Sequence, residues 1–286
     1  MSTATIHNPT KRMTKIIRPP ALSLHGLISG LAELSHYRDL LYTLSLHRVK
    51  VRYKQSVLGI GWAVLQPLSL MLIYTLVFSY IARVPSDGMP YAVFAYTALL
   101  PWSYFANALT NATTGLVSHS HLVTKVYFPR EILPLTYVIA ALFDLLIASF
   151  VLVGLMFYYR VTLTVNVLYA IPIILVLTGF VTAVSLFLSA IQVRYRDVGV
   201  AMPLLLQLWM FATPVVYPLS AVPQRFQSIY VLNPMVGVIE SFRRAVLQGM
   251  APDFRSLAVA AGVTMFLLPL AYVYFKRVEA TAADII

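Results

Sequence analysis

"HRVKVRYKQSVLGIGWAVLQP", residues 47–67, is the stretch on which the reading of this chain turns. Arg48, Lys50, Arg52 and Lys54 alternate along its first part, and no charged side chain follows until Arg83. Positive charge crowded against the start of an apolar run is how a membrane segment is held on its cytoplasmic side. The rest of the chain agrees. Its 286 residues are 59% hydrophobic and 11% charged, whereas a soluble domain carries about a quarter charged residues. So few charges cannot cover a water-facing surface, and lipid is the expected solvent. The net charge of +11 points to a membrane and not to nucleic acid, because the charge gathers beside the apolar segments. Cysteine is absent, which excludes disulfides, thiol catalysis and Cys-ligated metals.

Six apolar segments follow, at about 62–82, 91–117, 132–159, 167–191, 198–217 and 257–275. Each is long enough to cross a hydrocarbon core of ~30 Å as a helix, and helices are required because lipid offers no partner to unpaired backbone groups. The expected fold is an all-α multi-pass membrane protein with six transmembrane helices. With both termini cytoplasmic, fifteen Lys and Arg fall inside and six outside, four of the six in one long loop. Residues 1–20 carry Lys11, Arg12, Lys15 and Arg18 with no short apolar core close behind. They read as a mobile cytoplasmic tail and not as a secretory signal. Residues 21–61 read as an N-terminal amphipathic interfacial segment, with Leu24, Leu27, Ile28, Leu31, Leu34, Leu41 and Leu44 at helical spacing. It lies along the inner leaflet or packs on other protein.

Two loops carry more than connection. In the outer loop, 218–255, "NPMVGVIESFRRAVLQG" places Asn233 as N-cap, Pro234 at the first helical position and Gly249 beyond the end. Glu240 precedes Arg243 and Arg244 by three and four residues, a favourable helical spacing. Three charges at a bilayer centre would cost roughly 2.5–3.5 kcal/mol each, so this helix is expected to be re-entrant or to lie at the outer surface. The cytoplasmic loop 118–131, "SHSHLVTKVYFPRE", sets Leu122, Val123, Tyr127 and Phe128 among charges. They would face water unless a protein partner docks there or the loop dips into the leaflet.

Signs of an enzyme are few. The chain has no G-x-x-x-x-G-K-[ST] loop for ATP, no H-E-x-x-H, and no close acidic pair. His119 and His121 suit a wet loop better than a metal site. Asp144 is the one ionisable residue deep in a span; it either bonds a neighbouring helix or serves a proton-coupled carrier. Ser103, Asn107, Asn111, Thr114 and Ser118 share a face of the second span, serving helix adhesion or lining a pathway. Gln66, Tyr74 and Phe78 on the first span and Gln207, Phe211 and Tyr217 on the fifth would suit a passage for a polar polymer of rings.

Several of these segments resemble one family. "VKVRYKQSVLGIGWAVLQPL", "KVYFPREILPL", "VRYRDV", "LNPM" with "ESFRRAVLQG", and "YFKRVEATAADII" are similar to ABC-2 type permeases that export polysaccharide, the O-antigen branch most of all. The resemblance runs from about His47 to the C-terminus and makes 62–286 the family's six-span domain. It implies a homodimer in the cytoplasmic (inner) membrane, with two separate ATP-binding cassette subunits that hold the ATP and Mg. This chain would itself need no cofactor and catalyse no reaction. The cargo it implies is a glycan on a polyprenyl pyrophosphate; a drug or lipid cargo is the alternative. Leu122, Val123, Lys125, Tyr127, Phe128, Pro129, Arg130 and Glu131 would form the part that couples to the ATPase. Arg48, Lys50, Arg52 and Lys54 would receive the pyrophosphate at the inner leaflet. Asn233, Pro234, Glu240, Arg243 and Arg244 would belong to short gate helices at the exit, and the first and fifth spans would line the path at the dimer seam.

Overall fold

The computed structural model describes residues 34–54 and 56–285, with side chains through residue 279. The expected tail at 1–20 and the first part of the 21–61 segment lie outside the described residues. The chain runs through helix α1 (Arg38–Tyr53), then α2 (Gly61–Tyr74), which winds on as a π-helix over Thr75–Ile81. Next come α3 (Tyr91–Ser118), α4 (Ser120–Lys125) and α5 (Ile132–Tyr158). A 3₁₀ turn, Val165–Tyr169, leads into α6 (Ala170–Arg194), and α7 (Asp197–Phe211) follows. The chain ends with α8 (Gln224–Tyr230), α9 (Pro234–Val246) and α10 (Phe254–Ile285). The described residues include no strand.

Among the described residues, four helical stretches are long and apolar enough to cross a membrane: Gly61–Ile81, Ile132–Tyr158, Val165–Arg194 and Phe254–Glu279. The two other expected spans differ for physical reasons. Helix α7 has 15 residues, about 22 Å at 1.5 Å per residue, before the chain turns at Ala212. Helix α3 has 28 residues but carries the Ser, Thr and Asn side chains noted above. It can carry them because it is the central helix, packed against α2, α5, α6, α7 and α9. Its tyrosines turn their hydroxyls to internal acceptors: Tyr91 to the Val216 carbonyl at 2.6 Å, Tyr96 to the Ala148 carbonyl at 3.1 Å, and Tyr104 to Thr178 Oγ1 at 3.2 Å. Buried polar groups that find partners in this way avoid the desolvation penalty. Lower on α3, Thr113, Thr114 and Ser118 bond back to carbonyls of their own helix.

The described part of the interfacial segment, α1, packs on protein along one face. Leu40, Leu41 and Leu44 pack against the cluster of Val123, Phe128, Ile132 and Phe275, while Tyr42, Leu46 and Val51 stay exposed on the other side. The helix is therefore docked on protein along one face and free to meet lipid along the other.

Of the two placements expected for the helix in the 218–255 loop, re-entrant or at a surface, the surface one is corrected. Asn233 does cap α9, accepting from the Met235 amide at 3.1 Å, Pro234 opens it, and Gly249 beyond it takes φ +65°. Yet α9 is buried on nearly every side, against α3, α6 and α10. Its polar side can be covered too, because Arg243 finds the Pro214 and Val215 carbonyls, Glu240 and the Phe94 ring inside. Gly237 makes that fit possible: a Cβ there would lie 2.3 Å from the Ser256 backbone oxygen. Gly237→Ala is expected to push α9 off α10 and to destabilise by about 1–3 kcal/mol, the usual range for overpacking. The thermal midpoint of the purified full chain checks this against Gly262→Ala, whose added methyl meets nothing within 4 Å and removes a helix-interior glycine.

Candidate functional site

The basic run does not form one patch. Arg48 and Arg52, four residues apart on α1, face Tyr137 and Asp144, seven apart and thus on one side of α5. The Arg48 guanidinium lies 4.4 Å from the centre of the Tyr137 ring. Arg52 is ion-paired with Asp144, whose second oxygen accepts from the Tyr53 hydroxyl. Lys50 and Lys54 point away from α5 and are exposed. Of the two readings of Asp144, the geometry shows the bonded one: its carboxylate holds α1 to α5. The same residues open onto a cavity that reaches Gln66 on α2 and Ser103 and Asn107 on α3.

Of the pathway candidates, Gln66 lies apart from Tyr74 and Phe78, which are in edge contact with each other. Tyr74 reaches α7 through its hydroxyl, 3.5 Å from Met210 Sδ. Gln207 and Phe211 are exposed on α7 beside Leu204 and Leu208. Tyr217 donates to the Phe211 carbonyl at 2.7 Å and meets the Tyr230 hydroxyl at 3.2 Å, tying the end of α7 to α8. On α2, Leu65, Leu72, Ile73 and Leu76 are exposed as well. Together α2 and α7 offer long apolar faces to their surroundings.

The loop 118–131 divides in the same way. Leu122, Lys125 and Tyr127 are exposed, whereas Val123 and Phe128 are 3% and 6% exposed. The expectation that all four bulky groups face water is therefore corrected: Val123 and Phe128 fasten the loop to α5 and α10 through the cluster around Ile132. Pro129 is also buried. Arg130 donates its amide to Glu279 Oε1 at 2.9 Å and its guanidinium to the Glu279 carbonyl at 2.6 Å. Glu131 is 1% exposed and accepts from Lys276 Nζ at 2.7 Å, and the same ammonium lies 2.8 Å from Glu279. Burial, reinforced by Glu279, pushes the Glu131 carboxyl above its ordinary range, and Lys276 opposes that shift. Lys276 and Glu279 went unnoticed in the sequence; their spacing of three residues on one helix was the available signal.

In α9, Arg243 is fully buried. It donates to the Pro214 and Val215 carbonyls at 3.1 and 3.3 Å, approaches Glu240 at 3.5 Å, and lies 3.8 Å from the centre of the Phe94 ring. Burial lowers its pKa to about 10, which leaves it a cation at neutral pH. Burial likewise raises Glu240, and Arg243 holds it back. Asn233 also receives the Trp209 indole N–H at 3.2 Å, so one side chain both caps α9 and binds α7. Arg244 is half-buried beside them.

Comparison with known proteins bears on this arrangement. The O-antigen export system permease protein RfbA of Klebsiella pneumoniae is 32% identical over 167 residues, 58% of this chain and 64% of that protein. A second Klebsiella pneumoniae protein of that name is 30% identical over the same length. The Myxococcus xanthus protein of that name is 32% identical over 172 residues, 60% of this chain and 65% of the relative. The match thus spans slightly less than two thirds of these relatives. The sequence model of the ABC-2 type transporter family covers residues 39–247, from the start of α1 to the end of α9. This chain belongs to the ABC-2 type transporter family.

Proposed function

We propose that this chain is the membrane permease subunit of an ATP-driven exporter that moves a polysaccharide, of the O-antigen class, on a polyprenyl pyrophosphate. The observation that carries the reading is the family match together with relatives named as O-antigen export permeases. In this reading α2, α3, α5, α6, α7 and α10 are six spans of the cytoplasmic (inner) membrane, both termini are cytoplasmic, and α8 and α9 form the short helices of a re-entrant outer gate. Two copies meet along the apolar faces of α2 and α7, and the glycan passes at their seam past Tyr74, Phe78, Gln207, Phe211 and Tyr217. Lys50, exposed on α1, and Lys54, exposed just beyond its end, receive the pyrophosphate; Arg48 and Arg52 hold the helix that presents them.

The chain itself makes and breaks no covalent bond. Two ATP-binding subunits, which hold the ATP and Mg, dock on Leu122, Lys125 and Tyr127. The anchored side of the same loop, Phe128 to Glu131, passes their movement to α5 and α10. ATP-driven closure below then rocks the spans and opens the seam.

A Leu122→Asp, Tyr127→Ala double variant tests this reading. Wild type purified from its native membranes is expected to bring down a stoichiometric subunit with ATPase activity. The variant, equally abundant and folded, is expected to lose that subunit or at least tenfold of its glycan export. Wild type that comes down alone without ATPase activity overturns the exporter. A retained ATPase stimulated by a drug or a phospholipid, and not by the lipid-linked glycan, moves the cargo to that class.

A further inference from the structure

The cavity among α1, α2, α3 and α5 encloses about 260 Å³. That is just under the roughly 300 Å³ at which small-molecule pockets begin, so it holds one ring and no chain. Asp144 stands twelve residues along the 27-residue α5, level with Arg52 and Tyr53 at the end of α1. An ionisable side chain within a long apolar helix is costly unless it is paired. Joining α1 to α5 accounts for Arg52 and Asp144. It does not account for Gln66, Ser103 and Asn107, which line the same space. Their side chains are used in no hydrogen bond to another described residue.

The chemistry of the lining selects among occupants. Arg52 and Asp144 neutralise each other. A phosphate on the remaining Arg52 N–H groups would have to tolerate the Asp144 carboxylate beside it, and a cation on Asp144 would have to tolerate the guanidinium beside it. A neutral polyol need do neither. Its hydroxyls accept from the amide N–H groups of Gln66 and Asn107 and from Arg52, and donate to the amide oxygens and to Asp144. Trp62, 53% exposed, stands at the α2 side of the cavity. The negative face of its indole suits the weakly positive C–H face of a sugar ring. Ala141 and Leu145 supply an apolar floor for the ring's other carbons. We propose that this cavity is a binding subsite for one uncharged sugar ring, reached past Trp62 and held by Gln66, Ser103 and Asn107 against the Arg52–Asp144 pair. The proposal rests on the reading of the cargo as a glycan and adds a recognition point inside each protomer.

The test uses the full chain in phospholipid nanodiscs, with saturation-transfer NMR on a panel of methyl glycosides: hexoses, 6-deoxyhexoses and N-acetylhexosamines. Inorganic phosphate and a short-chain phosphatidylethanolamine serve as competitors. At least one glycoside is expected to bind and to resist phosphate. Asn107→Leu is expected to weaken it roughly tenfold, the worth of a hydrogen-bonding group withdrawn. Trp62→Ala, at a position 53% exposed, is expected to weaken it comparably. Unchanged elution and thermal midpoint show that each variant is folded. Three outcomes overturn the subsite: no glycoside binds; binding is indifferent to both variants; or the phospholipid headgroup displaces the glycoside, which makes the cavity a lipid site. The ATPase partner is absent from this assay, so loss of the subsite is distinguishable from loss of the exporter, which the co-purification decides.

Discussion

Lys276→Met is expected to be among the most damaging single changes in the chain, lowering stability by about 3–5 kcal/mol, the range for leaving one member of a buried ion pair alone. The ammonium serves two carboxylates, Glu131 at 2.7 Å and Glu279 at 2.8 Å. Glu131 has 1% of its side chain exposed, and one of its oxygens already lacks a hydrogen-bond partner. Without Lys276 it would be a carboxylate in a nearly dry site facing a second carboxylate. A loss of that size is a large part of the 5–15 kcal/mol that stabilises an ordinary folded domain, so little intact protein should be recovered at neutral pH. Two controls make the expectation specific. Glu131→Gln in the Lys276→Met background should restore much of the yield, because a neutral amide needs no counter-ion. Lower pH should also help the single variant. Its Glu131 carboxyl, raised by burial and no longer held down by Lys276, binds a proton more readily in the folded than in the unfolded chain. Stability therefore rises as pH falls through the raised value, and the gain is complete below the ordinary 4.5. Thermal midpoints across that range decide the matter; a Lys276→Met protein as stable as wild type at neutral pH would show that the network is superficial.

This network also explains how much of the site was legible in the sequence. Local rules carried far where one segment contains all the parts. Asn233, Pro234 and Gly249 mark the bounds of α9, and the apolar runs mark the long helices, because capping chemistry and hydrophobic length are properties of neighbours in sequence. The division of each motif into anchoring and exposed members was not legible. Arg48 and Arg52 turn inward only because Tyr137 and Asp144, some ninety residues away, stand two turns apart on α5. Val123 and Phe128 are buried because α10 ends beside the loop. Alternation along "RVKVRYK" says nothing of this, since a helix of 3.6 residues per turn sorts the four cations into two pairs and only the partner helix decides which pair is covered. Polarity misled in the same manner for α3: its hydroxyls and amides lower its hydropathy, and its central position, fixed by five neighbours, is what lets it keep them.

Arg243 carries the second large expectation, and it turns the gate reading into a statement about a pin. The C-terminal end of α7 unwinds at Ala212, so the carbonyls of Pro214 and Val215 leave the helical ladder and need donors. The Arg243 guanidinium supplies both from α9 while its face covers the Phe94 ring on α3. One planar group thus ties three elements, and a lysine, with a point charge and no fork, cannot reproduce that set. Arg243→Leu should destabilise by about 3–5 kcal/mol, since it strands a mostly buried Glu240 and leaves two carbonyls unpaired. Arg243→Lys should fall between this and wild type, keeping the charge beside Glu240 and losing the double donation. Glu240→Gln should be mild, because the 3.5 Å ion pair is the weakest of the arginine's contacts. That order, Leu worse than Lys worse than the Glu240 change, distinguishes a pin from a simple ion pair, in which the Glu240 and Arg243 changes would be matched. The Lys variant bears on transport as well: it should leave the spans folded and loosen the segment that carries Tyr217, the residue bonded to both Phe211 and Tyr230. If α8 and α9 gate the exit, Arg243→Lys should raise basal ATPase activity in the assembled complex while export falls; export that keeps pace with ATPase activity in this variant would mean that the pin supports the fold and leaves the gate alone.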